Sequence, residues 1–163
     1  MSATCSAARI RLCDFGVYNF VNTYNQYAKN YNENIIIDKN PYIIPELSDG
    51  DYTIHYCECG QEGHKTGIMI IVNKEGYIEG FSISLEANKL KDQYSTNNFS
   101  DVVLMVINTF GLNSDERMNF RNQLSKNNFR ARLWSNSSKK YINSDCSITP
   151  SKQFVVRFYA TDN

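Results

Sequence analysis

The chain has 163 residues, 42% of them hydrophobic and 21% charged, and its 17 Lys+Arg balance 17 Asp+Glu to a formal net charge of zero. That length suits one domain able to bury a core without staples, and the composition excludes wholesale disorder and the fibrous classes. The longest apolar run, GIMIIV, has strand length and falls far short of the roughly 20 residues a membrane-spanning helix needs.

Charge is nonetheless uneven: residues 1–113 carry 8 Lys+Arg against 13 Asp+Glu, and residues 114–163 carry 9 against 4. This division into −5 and +5 bears on association more than on folding, because summed fields steer partners toward a surface. The opening MSATCSAARIRLCDFG lacks the apolar stretch of a signal peptide, so the chain is expected to be cytoplasmic, or a mature extracytoplasmic form carrying a new Met1. Its 5 cysteines fit two disulfides and one thiol, or five thiols in a reducing compartment.

Residues 1–13 read as a flexible or strand-like lead-in. Asp14 is expected to cap a helix over about 15–29, on which Val17, Phe20, Val21, Tyr24 and Ala28 fall at helical spacing. NIIID, then YII between Pro41 and Pro45, read as a short strand and an extended connection. DYTIHYCEC alternates, setting Tyr52, Ile54 and Tyr56 on one face and Thr53, His55, Cys57 and Cys59 on the other. GIMIIVN and YIEGFSISL continue a meander, joined at NKEG, where Gly76 is expected in the left-handed conformation.

After a polar linker, Ser100 and Asp101 are expected to open a second helix carrying Val102, Val103, Val106, Ile107 and Phe110 and ended by Gly111. Ser114 is expected to cap a third, with Asp115 and Glu116 in its first turn and Met118 and Leu124 as its apolar positions. FRARLWS, KKYINSDC and KQFVVRFYA add three strands. No β-α-β alternation calls for a parallel sheet, so the predicted fold is α+β in a single domain spanning 1–163. It comprises a curved antiparallel sheet of about six to seven strands, with the N-terminal helix and the central helical hairpin packed on one face.

HYCECGQEGH gathers two cysteines and both histidines into ten residues. A zinc site wants four converging ligands, whereas Cys-x-Cys within a strand places two side chains roughly 6.5 to 7 Å apart along it. His55, Cys57, Cys59 and His64 therefore read as a strand and turn, with a distorted metal site as the alternative. The chain lacks a Gly-rich phosphate loop and the H-E-x-x-H and G-x-S-x-G motifs. With no recognisable catalytic constellation, neither enzymatic activity nor a cofactor is expected.

The basic last third says more. Phe129, Ala131 and Leu133 alternate with Arg130, Arg132 and Trp134, and Phe154, Val156 and Phe158 alternate with Val155, Arg157 and Tyr159. With the phenylalanine faces in the core, Arg130, Arg132, Trp134, Arg157 and Tyr159 share the opposite face, and Lys139 and Lys140 lie on the adjoining turn. Arg, Trp and Tyr are enriched at the centres of binding interfaces, so the expected partner is another protein with an acidic surface. The alternative is single-stranded nucleic acid, its bases stacked on Trp134 and Tyr159, against which stand zero net charge and an acidic first two thirds.

The order FVNTYNQYAKNY, NKEGYIEGFSISL, DVVLMVINTFGLNSDERMNFRNQL, a Trp-containing strand, KKYIN and a closing FVVRFYA resembles small exported or lipid-anchored domains of Gram-positive bacteria. The likeness runs from about Phe15 to Tyr159 as an order of elements, with FGLNSDERMNFRNQL its nearest phrase. It implies an extracytoplasmic, non-enzymatic role, binding at a cell surface or as an inhibitor or immunity-type partner, and it supplies no catalytic residues.

Overall fold

Alternating β-branched and aromatic residues build most of the strands in the computed structural model, which describes residues 8–163. In chain order these are β1 (Arg9–Ile10), α1 (Val17–Tyr31), β2 (Tyr42–Ile43), β3 (Tyr52–Cys59), β4 (Thr66–Asn73), β5 (Ile78–Glu86), α2 (Gln93–Asn108), α3 (Ser114–Lys126), β6 (Ala131–Ser135), β7 (Lys140–Ile148) and β8 (Gln153–Thr161). The strands form one antiparallel sheet in the order β2-β3-β4-β5-β8-β7-β6. β1 pairs with Ala160 and Thr161 of β8, just past the point where β5 leaves off at Tyr159. The fold class is thus the predicted α+β, with eight strands among the described residues. Within the same residues, no helix is long and apolar enough to cross a membrane.

One side of the sheet carries the helices. Phe81 of β5 and Phe158 of β8 are direct cross-strand partners, both at most 1% exposed. Phe20 of α1 packs on Phe81 with ring centroids 4.8 Å apart, and Phe120 of α3 lies 6.1 Å from Phe158. Phe110, just beyond α2, touches both at 5.9 and 5.3 Å, while Phe99 of α2 meets Phe154 at 5.6 Å. All three helices therefore bury their apolar stripes on the same side. Ile68, Ile70, Ile78, Ile83, Leu85, Ile142 and Val156 fill the space between, each 1% exposed or less.

Several boundaries differ from the sequence expectation, each for a local reason. Helix α1 starts at Val17 with Gly16 as its N-cap and no capping side chain; Asp14 instead pairs with Arg11 at 2.9 Å. NIIID is not a strand, because Glu33–Ile35 forms a 3-10 turn whose backbone is met by side chains. The Tyr24 hydroxyl donates to the Ile35 carbonyl, and the Asn25 amide both accepts from Ile37 N–H and donates to its carbonyl. Helix α2 opens at Gln93, seven residues before Ser100, since Asp92 accepts from Ser95 N–H and the polar first turns are buried at Ser95 and Asn98. Asn113, rather than Ser114, caps α3, and Met118 faces solvent while Phe120 and Leu124 are buried. Gly76 is left-handed at φ 89°, as the turn requires.

Candidate functional site

Because the helices occupy one side, the other side of the sheet is left without a covering helix. Register decides what stands there. Arg132 pairs with Asn143 and Asn143 with Tyr159; in the neighbouring row Trp134 pairs with Tyr141, Tyr141 with Thr161, and Thr161 with Arg9. A further row holds Arg157 beside Asp145 and Ser82, and continues to Met69 and Tyr56. The open face thus grades from Arg and aromatic side chains on β1, β8, β7 and β6 to Tyr56 and Glu58 on β3.

Of the residues expected to share a binding face, Arg132, Trp134, Arg157 and Tyr159 do so. Arg132 and Trp134 are exposed, Trp134 to 40%. Arg130 precedes β6 and lies at the sheet edge, where it donates to the Cys146 carbonyl at 3.3 Å. Lys139 is exposed on the β6–β7 turn, with φ 57°. Lys140 does not join the face: it is 6% exposed and donates through Nζ to the Arg11 carbonyl at 3.0 Å. Burial pushes its ammonium pKa down. The first residue of β7 pairs with buried Ser135, so the alternation sends Lys140 to the other side.

Sequence reasoning missed Arg9, Tyr141, Asn143 and Thr161. The guanidinium of Arg9 lies 4.6 Å over the Tyr159 ring and that of Arg132 lies 4.1 Å over Tyr141. Neither has a carboxylate within ion-pair distance among the described residues, in contrast to Arg157, which lies 3.6 Å from Asp145. Arg9, Arg132, Asn143, Tyr159 and Thr161 border an open groove of about 540 Å³ together with Ala8 and Asn163. Alternation in KKYINSDC could have placed Tyr141 and Asn143 beside Arg132, but the arrival of Arg9 depends on its pairing with Thr161, 152 residues on, which no local pattern announces.

At the far end of the same face a second hollow of about 410 Å³ is bordered by Tyr56, Glu58, Gly67, Ser84 and the β7–β8 turn. Among the described residues its one cation is already engaged: Lys65 lies 3.8 Å from Glu58 and 3.7 Å from Glu62, and Glu86 also borders the hollow. The uncompensated positive charge of the face therefore sits at the arginine end.

The histidine and cysteine residues do not converge. Cys57 and Cys59 are 4% and 3% exposed, turned toward the helices from β3, where Tyr24 Oη lies 3.7 Å from Cys59 Sγ. Burial pushes both thiols up, that of Cys59 to about 12, so neither is a nucleophile at neutral pH. His55, half-buried, sits 3.2 Å from Thr53 Oγ1. His64 turns instead to the start of α2, its Nδ1 2.7 Å from Asp92 Oδ2 and 2.8 Å from Ser95 Oγ. Among the described residues no group of three or more His, Cys, Asp or Glu gathers as metal ligands. Nor is Asp92–His64–Ser95 a catalytic relay, in which hydroxyl and carboxylate engage opposite ring nitrogens. Here both share Nδ1, and Ser95 is 0% exposed. The cluster locks the β3–β4 turn to the α2 cap, and the Ser95 hydroxyl is the main cause that holds the Asp92 carboxyl below its usual range.

The chain matches no protein-family model, no curated protein and no solved structure.

Proposed function

We propose that this protein is a non-enzymatic module that binds another protein, one with an acidic surface, on the open face of its sheet. The observation that carries this reading is the pair Arg9 and Arg132, each stacked on a tyrosine, uncovered, and without a carboxylate partner among the described residues. An arginine held over an aromatic ring keeps its N–H edges free for an incoming acceptor while its rotamers are already restricted, which lowers the entropic cost of binding. Trp134 beside them adds a half-exposed aromatic anchor of the kind that dominates interface energetics.

The same stacking argues for protein over single-stranded nucleic acid. Bases need open aromatic rings to stack on; of Trp134 and Tyr159, the Arg9 guanidinium covers one face of Tyr159, and zero net charge weighs against the phosphate contacts that such binding needs. Burial of Cys57 and Cys59 and the shared-nitrogen histidine cluster also leave HYCECGQEGH without an activated nucleophile. A role at a cell surface, or as an inhibitor or immunity-type partner, suits such a face and is the role that the resemblance in element order to exported Gram-positive domains implies.

The test is partner capture from native extract by the immobilised full chain, in three forms: wild type, Arg132→Glu on the open face, and Lys126→Glu at the exposed end of α3. Proteins held by wild type and Lys126→Glu should be lost from Arg132→Glu. Retention of the same proteins by Arg132→Glu would move the binding site off this face.

A further inference from the structure

Asn143 and Thr161 form the floor between the two arginines, and both are more than nine-tenths buried, at 7% and 5% exposed. The Asn143 amide nitrogen donates to Thr161 Oγ1 at 3.1 Å and lies 3.5 Å from the carbonyls of Tyr141 and Tyr159. Three acceptors around the nitrogen fix the amide's orientation and direct Oδ1 away from them, where it accepts no hydrogen bond from the described residues. The Thr161 hydroxyl, used here as an acceptor, keeps its own proton to give. The groove, which Ala8 and Asn163 also border, thus combines two guanidinium forks, one hydroxyl donor and one free amide acceptor.

We propose that this groove is a carboxylate-recognition subsite that takes an Asp or Glu residue of an extended acidic peptide segment. The inference rests on the protein-binding reading and names what that surface recognises. Guanidinium forks match a planar carboxylate and bind it with charge-assisted hydrogen bonds. Asn143 Oδ1 suits the backbone N–H of the residue that carries the carboxylate, a donor held at a fixed distance from that carboxylate by the peptide chain. The Tyr159 and Tyr141 rings under the arginines hold both forks in place before the ligand arrives. The opposite end of the face, where Lys65 already meets Glu58 and Glu62, has no matching surplus of positive charge.

The experiment is a titration of the full chain at low ionic strength with an end-blocked oligoglutamate peptide, followed through the fluorescence of Trp134, the single tryptophan of the sequence. Trp134 stands edge-on at 5.1 Å to Tyr141, the ring beneath the groove-lining Arg132. We expect saturable binding that weakens with salt, weakens by about tenfold or more in Arg9→Gln and in Arg132→Gln, and stays unchanged in Lys152→Gln. Arg132→Lys, which keeps the charge and loses the planar fork, should lie between wild type and Arg132→Gln. Equal binding of an oligoglutamine peptide, equal competition by inorganic phosphate, or oligoglutamate affinity that survives both arginine changes would overturn the proposal. Failure here together with continued loss of captured partners in Arg132→Glu would remove the carboxylate subsite and leave the protein-binding reading standing.

Discussion

Trp134 presents its ring edge to Tyr141 and donates its indole N–H to Asn136 Oδ1 at 3.1 Å, with 40% of its surface exposed. Its removal takes little from the core, so Trp134→Ala should cost less than about 1 kcal/mol in denaturant melts. Phe158→Ala, by contrast, deletes a side chain 1% exposed and touched by two other phenylalanines, and should cost about 3 to 5 kcal/mol. A loss that large from Trp134→Ala would place the indole in the core and undo the open-face assignment. The thiols give a second residue-scale outcome. Burial pushes Cys13 and Cys59 from an ordinary value of 9.0 to about 12, and Cys57 upward as well. The folded chain therefore holds protons that the unfolded chain has released, and stability should fall as pH rises from about 9 toward 12, by up to about 1.4 kcal/mol per pH unit for each such thiol. Lys140, whose pKa burial lowers, works in the opposite sense and offsets part of one thiol's share. Native thiol labelling mapped by mass spectrometry should find Cys146, the partly exposed one, modified well before Cys13, Cys57 or Cys59. Rapid labelling of Cys57 or Cys59 would contradict their burial.

At the scale of elements, the start of α3 separates two adjacent caps. Asn113 accepts from Glu116 N–H at 2.9 Å and donates its amide to Glu116 Oε1. Glu116 in turn accepts from Ser137 N–H and Oγ, each at 3.4 Å, and so ties the helix to the β6–β7 turn. Asn113→Ala should cost about 1 kcal/mol and Ser114→Ala less than about 0.5; the reverse order in thermal melts would restore Ser114 as the cap. Gly80 marks a second element-scale feature. Ile71 pairs with Gly80 but Val72 with Ile78, so Glu79 is an extra residue in a β-bulge that lets both Ile78 and Phe81 face the core. A Cβ at Gly80 would stand 2.6 Å from the Phe158 carbonyl, so Gly80→Ala should destabilise by forcing β5 and β8 apart. Long periodic elements were legible in the sequence: the α1 stripe of Phe20, Tyr24 and Ala28, the alternation of β3 and β8, and the left-handed Gly76. What escaped was decided by long-range partners. NIIID has strand composition but takes its hydrogen bonds from Tyr24 and Asn25, and the polar opening of α2 reads as linker because the burial of Ser95 and Asn98 is a tertiary fact.

Across the whole molecule, the −5 of residues 1–113 and the +5 of residues 114–163 do not sort onto separate surfaces: Arg117, Arg121 and Lys126 lie on α3 and Lys140 is buried, whereas the open face draws Arg9 from the first segment and Arg132 and Arg157 from the second. The sheet order sets β6, β7 and β8 at one end and β3 and β4 at the other, and all three helices cover the same side, so Arg9, Arg132 and Arg157 collect at one end of the face they leave open. Alternation alone brought Arg132, Trp134, Arg157 and Tyr159 to this face. It could not supply Arg9, which arrives through the β1–β8 pairing, and it misplaced Lys140, which lies one register position from the exposed turn. The central claim, that this open face is where another protein binds, is tested most directly by site-specific photo-crosslinking in the native cell. A photoreactive residue is placed either at Ser82, mid-sheet on the open face, or at Tyr18, 78% exposed on α1 in the helical layer. The account predicts a discrete protein adduct from position 82 that disappears when Arg132→Glu is added, and none from position 18. An adduct from position 18 with none from position 82 would contradict it.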